Sequence, residues 1–273
     1  LLMLVVAIIM AVIGFIAYLF INVIIRRMTA VVRSREDYDA DVDGTMTEAE
    51  KIAAEEEKLL EREKRKIGFQ ETREEYGIRF YVVAILGGIL SSLVGYLFGF
   101  SLESIIFFVF FALLTIIAFV DLDTMEIPPQ LNYIILGLGI ICLIISFIHK
   151  SDSYLFSITW YERLIGFVCI SGFLLIVTLL VRGAFGGGDI KLMAAAGFLL
   201  GWKGIVVGFL IGLFIGAAVG IFLMARKKKG GKEHIPFGPS LCIGLICAVL
   251  FGNQLVNWYI DLLKSMMPNT YGG

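Results

Sequence analysis

Three carboxylates stand where an apolar chain has little use for charge. Asp121 and Asp123 lie in "FVDLDTMEIPPQLN", and Asp189 follows three glycines in "FGGGDIKLMAAAG". Charged groups near hydrocarbon are costly and are usually kept for function. Two carboxyls that share one proton split their titrations, so one acts as base while the other acts as acid. The base activates water against a peptide carbonyl. The acid protonates the carbonyl oxygen and later the leaving amine. No metal is required. Gly186, Gly187 and Gly188 let the backbone approach a partner closely before Asp189. The plain structural alternative for Asp189 is a helix N-cap, favoured by the helix dipole.

The elements that must position these groups are membrane helices. Of the 273 residues, 59% are hydrophobic and 17% charged, too apolar for a soluble globular domain. An all-α, polytopic membrane fold is expected. Eight hydrophobic segments stand out, at about 1–25, 80–99, 103–120, 130–148, 162–181, 190–201, 203–225 and 238–263. The sixth is short for a full crossing. The chain divides into a first transmembrane helix at 1–25, a cytoplasmic insertion at 26–79 and a membrane domain at 80–263. The opening segment lacks a basic flank and a small-residue cleavage site, so it reads as a retained helix. Lys and Arg concentrate in 26–79, 182–191 and 226–237, which puts those loops in the cytoplasm and the N-terminus outside. Asp121 and Asp189 then meet the same, cytoplasmic face. Pro128 and Pro129 are expected to stop the third helix. The mixed aromatic and polar stretch 149–161 suits the outer interface.

The net charge of -1 gives no nucleic-acid signal. Cys142, Cys169, Cys242 and Cys247 all lie in apolar runs without a CxxC pair, so they read as small buried residues, and no zinc is expected. Within the insertion, 48–66 reads as a solvated helix with Glu and Lys at i,i+4 spacing. Ahead of it, "DADVDGTMTEAE" fits a twelve-residue Ca²⁺ loop. Asp39, Asp41 and Asp43 take positions 1, 3 and 5, Gly44 the turn, Thr45 a carbonyl position and Glu50 the bidentate position. The flanks lack an apolar face and no second loop is present, so an acidic linker remains the alternative.

Four stretches together resemble the type IV prepilin peptidases, GxGD-type membrane aspartyl proteases. "GGGDIKLMAAAG" is similar to the GxGD-x-KL segment through Gly186, Gly188, Asp189, Lys191 and Leu192. "DLDTMEIPPQLN" places Asp121 seven residues before Pro128 of an Ile-Pro pair. "IPFGPSLCIG" resembles the Pro-Phe-Gly-Pro entry into the last helix, and "LFINVIIRR" the run after the first. The resemblance implies a plasma-membrane endopeptidase that removes the leader of type IV prepilins or pseudopilins, with Asp121 and Asp189 as its dyad. Asp123 is left as a supporting or solvated group, and Lys191 as a contact for substrate or lipid phosphate or as a snorkelling side chain. Many members also N-methylate the new N-terminus with S-adenosylmethionine. That activity stays open here, because the insertion lacks the family's paired cysteines. Rival readings are an ion-coupled transporter with the aspartates as proton relay, and a presenilin-type intramembrane protease.

Overall fold

The computed structural model describes residues 2–42, 69–148, 153–181, 184–226 and 236–266. Every regular element among them is a helix: α1 (Leu2–Val42), α2 (Phe69–Tyr76), α3 (Ile78–Phe98), α4 (Leu102–Thr124), α5 (Pro129–Ile148), α6 (Tyr154–Ser157), α7 (Trp160–Leu180), α8 (Gly187–Arg226) and α9 (Gly238–Met266). Six are long and apolar enough to cross a bilayer, and α9 adds a shorter apolar stretch, Gly238–Gly252. The protein is a multi-pass, all-helical membrane protein, as its composition requires.

Two expectations about helix ends are corrected. The first helix does not stop at 25 but continues to Val42, 41 residues in all. At 1.5 Å per residue that is about 60 Å, twice the hydrocarbon thickness, so its last turns stand clear of the bilayer core. The third hydrophobic helix, α4, ends before the prolines rather than at them. Met125 takes a left-handed conformation (φ 55°) and its N–H donates to the Asp121 carbonyl oxygen at 2.8 Å, which closes the helix. Pro129 instead opens α5, where a missing N–H costs nothing. The predicted 48–66 helix lies outside the described residues.

The sixth and seventh hydrophobic segments are the two arms of α8, broken at Gly201 (φ 71°, ψ 174°). The break is a reversal. A Cβ on Gly197 would lie 3.3 Å from Ile205 Cγ1, whereas a straight helix separates residues eight apart by about 12 Å. The second arm then runs antiparallel to α9, with Gly208 against Leu245, Gly212 against Leu241 and Gly216 against Phe237. The backbone at Gly201 lies in a region that only glycine occupies readily.

This reversal leaves the last carbonyls of the first arm without helical partners. A buried arginine supplies them. Arg163 on α7, fully buried, donates through Nη1 to the carbonyls of Phe198 (3.2 Å) and Leu199 (3.0 Å), and through Nη2 to that of Leu155 (2.5 Å). The Tyr154 hydroxyl donates to the Leu200 carbonyl at 3.1 Å. Glu103 completes the cluster by accepting from the Leu155 N–H (2.9 Å) and the Ser153 hydroxyl.

Elsewhere small residues let the backbones approach, as expected where lipid removes the hydrophobic drive for helix association. Gly166 on α7 and Gly197 on α8 abut so closely that a Cβ on either would strike the other's carbonyl oxygen. Asn22, in the run after the first hydrophobic core, is buried on α1 and donates to the Phe80 carbonyl at 3.1 Å, which ties α1 to α3. The cysteines are all free. Cys142 and Cys242 are buried as expected, but Cys169 is exposed on α7 and Cys247 is half-buried.

Candidate active site

Four chain segments converge at one end of the bundle: the C-terminal turn of α4, the start of α5, the N-terminal turn of α8 and the entry to α9. They enclose a cavity of about 380 Å³ lined by Asp121, Glu126, Ile127, Gly188, Asp189 and Lys191, among others. Asp121 and Asp189 are both buried and face it. Two carboxyls from segments 68 positions apart thus share one cavity.

The glycines explain how the segments come so close. Ile127 sits between them. A Cβ on Gly188 would lie 2.8 Å from Ile127 Cβ, and one on Gly238 would lie 2.6 Å from Asp121 Oδ2 and 3.3 Å from Ile127 Cδ1. No side chain fits at either position without moving the site. Gly186 and Gly187 line the cavity wall beside them.

The backbone beside each carboxyl sets its place. The Gly238 N–H donates to Asp121 Oδ2 at 3.1 Å. The Ile190 N–H donates to the Gly186 carbonyl, so Gly186 is the N-cap of α8 and Asp189 is the third helical residue. Asp189 is therefore no N-cap. A Cβ built on Gly186 would lie 3.2 Å from Asp189 Oδ2, so the carboxyl folds back over the residue that opens α8. The helix start thereby fixes the carboxyl and leaves it facing the cavity.

Asp123 faces elsewhere. Its two oxygens accept from Arg79 Nη1 (2.7 Å) and Nη2 (2.8 Å), a two-pronged pair that joins α4 to the start of α3. Arg79 also stacks over the Tyr76 and Phe119 rings, at 4.8 and 4.9 Å. Two residues along a helix turn the side chain by about 200°, which agrees with Asp121 lining the cavity while Asp123 meets Arg79. Lys191, for the same reason expected to diverge from Asp189, is exposed but still lines the cavity at its rim.

One contributor went unread in the sequence. Asn132 on α5 is buried and donates through Nδ2 to the Gly188 carbonyl at 3.4 Å, holding the glycine run against α5. Its signal was an amide side chain in the first turn after Pro129, in an otherwise apolar helix. The Ca²⁺ loop is not brought to the site by anything described. The backbone of Asp39 and Asp41 continues α1 as helix. Asp43, Thr45 and Glu50 lie outside the described residues, and no cluster of three His, Cys, Asp or Glu is arranged for a metal among the described ones.

The fold and cavity define a class, a polytopic helical membrane protein with two buried carboxyls at one boundary. Residues 108–221, which carry both carboxyls and two of the four stretches, match the type IV leader peptidase family, as the resemblance implies. Three relatives, each named prepilin leader peptidase/N-methyltransferase, are similar to this chain. The Bacillus subtilis protein is 33% identical over 168 residues, covering 62% of this chain and 64% of its own. That of Legionella pneumophila is 30% identical over 185 residues, 68% of this chain and 63% of its own. That of Aeromonas hydrophila is 32% identical over 148 residues, 54% of this chain and 49% of its own. The chain thus spans less than two thirds of the length of these relatives. No solved structure matches it significantly.

Proposed function

We propose that the protein is a membrane aspartic endopeptidase that removes the leader of type IV prepilins or pseudopilins, with Asp121 and Asp189 as its catalytic dyad. The observation that carries this reading is the convergence of two buried carboxyls on one cavity, within the segment that matches the leader peptidase family. Relatives named for the same activity support it. Neither the transporter nor the presenilin-type reading has comparable support.

The chemistry follows from the pair. Two adjacent carboxyls hold one proton between them, and that proton belongs to the dyad rather than to either residue. The ionised member takes a proton from a water, whose oxygen attacks the scissile carbonyl carbon. The protonated member gives its proton to the carbonyl oxygen, forming a gem-diol. The carboxyl that gained the water proton then protonates the amide nitrogen as the C–N bond breaks, while the other carboxylate takes one hydroxyl proton from the gem-diol, which leaves a carboxyl group on the leader and restores the proton shared by the dyad. The Gly238 N–H holds one oxygen of Asp121 in place through these transfers.

The site opens to the cytoplasm in this reading, with the N-terminus outside. Its support is the charge bias of the loops and the gathering of Arg26, Arg79, Asp121, Asp123 and Asp189 at one end of the bundle. The substrate's apolar stem stays in the bilayer and its leader reaches the cavity from the aqueous side. The relatives' names also speak for N-methylation, with S-adenosylmethionine supplying the methyl group. A second cavity at this end, lined by Arg26, Arg33, Glu75, Arg79 and Asp123, does not fit that cation. Its carboxylates are held by arginines and Arg33 adds positive charge beside them. No step is therefore derived through it. Co-expression with a prepilin and mass spectrometry of the product tests both activities. A processed, unmethylated N-terminus fits proteolysis alone, and an intact leader overturns the proposal.

A further inference from the structure

A second cavity, of about 290 Å³, lies on the other side of α4 from the dyad. It is lined by Arg26, Thr29 and Arg33 of α1, Glu75 of α2, Arg79 of α3 and Asp123 of α4. The three α1 residues recur at i, i+3 and i+7 and so share one helix face. Arg26 is paired with Glu75 and Arg79 with Asp123. Three guanidiniums thus meet two carboxylates, and one positive charge is in excess. The excess resides on Arg33, which is exposed and has no polar partner among the described residues. A second observation points the same way. Thr29 is only 7% exposed, lines this cavity and has a buried hydroxyl with no hydrogen-bond partner. Buried hydroxyls are rarely left so. The cavity therefore carries one positive charge in excess and a buried hydroxyl without a partner.

We propose that this cavity binds a phosphate group, held by Arg33 and the Thr29 hydroxyl in the positive field of the neighbouring guanidiniums. Guanidinium donors match phosphate oxygens in geometry and charge. The depth fits too. Arg26 to Arg33 follow the apolar part of α1, whose span candidate ends at Arg33, and Asp123 closes the apolar part of α4. Headgroup phosphates are the abundant anions at that level. A lipid headgroup and a soluble phosphate share this chemistry. The site stands independently of the proteolytic reading, because none of its lining residues faces the dyad cavity.

The test uses the full chain purified in detergent. Native mass spectrometry measures binding of phosphatidylglycerol against neutral diacylglycerol, and a thermal-shift titration measures inorganic phosphate. The variants are Arg33→Gln, Thr29→Val and their combination, with Lys203→Gln at the opposite end as control. Arg33 is exposed and leaves both ion pairs intact, so its variant keeps the fold. We expect one phosphatidylglycerol retained over diacylglycerol, weakened roughly fivefold by Arg33→Gln and roughly tenfold or more by the double variant. Stabilisation by inorganic phosphate that competes with the lipid assigns a soluble source, and lipid binding alone assigns a headgroup. Equal binding by the wild type and the double variant, equal weakening by Lys203→Gln, or no preference for either phosphate would overturn the proposal.

Discussion

The Gly238 N–H donates to Asp121 Oδ2 at 3.1 Å, joining two residues 117 positions apart. The same glycine leaves no room for a Cβ, which would come 2.6 Å from that oxygen. Gly238 is thus a positioning residue, and the Pro-Phe-Gly-Pro stretch has a physical purpose at the entry to α9. Gly238→Ala forces the Asp121 carboxyl aside. Displacing a reacting group by about 1 Å costs on the order of a hundredfold in rate. We expect kcat for prepilin cleavage to fall by that order while KM changes little. Wild-type kcat in Gly238→Ala would deny the glycine this role.

The dyad assignment predicts asymmetry between neighbours. Asp121→Asn and Asp189→Asn should each abolish cleavage in protein that still inserts. Asp123→Asn should keep most activity and lose roughly 1 kcal/mol of stability, because it weakens the Arg79 pair. Cleavage by Asp121→Asn together with inactive Asp123→Asn would exchange their roles.

Asn132 holds the Gly188 carbonyl from α5. Asn132→Leu keeps the side-chain volume but removes the donor. The glycine run then loses its anchor, and Asp189 shifts with it. A drop of about tenfold in cleavage rate is expected. An Asn132→Leu enzyme with unaltered turnover would show that α5 does not set the geometry.

At the opposite end, the α8 reversal is predicted to set stability. Gly201→Ala places a side chain on glycine-only backbone and 3.0 Å from Ile158 Cγ2. It should cost roughly 1–3 kcal/mol. Arg163→Leu strips the donors from the Phe198, Leu199 and Leu155 carbonyls and should cost about 2 kcal/mol. Thermal unfolding in detergent reads both. Unchanged midpoints would show that the reversal is held by packing alone.

Two carboxyls and a water suffice for hydrolysis, so zinc removal should leave cleavage unchanged. A chelator titration with a prepilin substrate checks this. Loss of activity that zinc alone restores would require a metal step.

The sequence by itself determined the class of fold and the apolar segments, and it singled out two aspartates that line one cavity. These are local properties: hydropathy over a helix length, a glycine run before a carboxylate, an Asp at fixed spacing from Ile-Pro. Packing decided the rest. Asp123 is separated from Asp121 by one residue, and only its contact with Arg79, 44 positions away, shows that it leaves the site. The role of Gly238 appears only when α9 lies against α4. The sixth segment read as a partial span because Gly201 gave no sign of reversing the chain, and the arginine that satisfies the reversal lies on another helix. The first helix outlasts its apolar run because helical hydrogen bonding continues through polar residues once the backbone leaves the bilayer. Hydropathy records what the solvent requires of each segment. Which side chains meet is a matter of three-dimensional contact, and no local pattern encodes it.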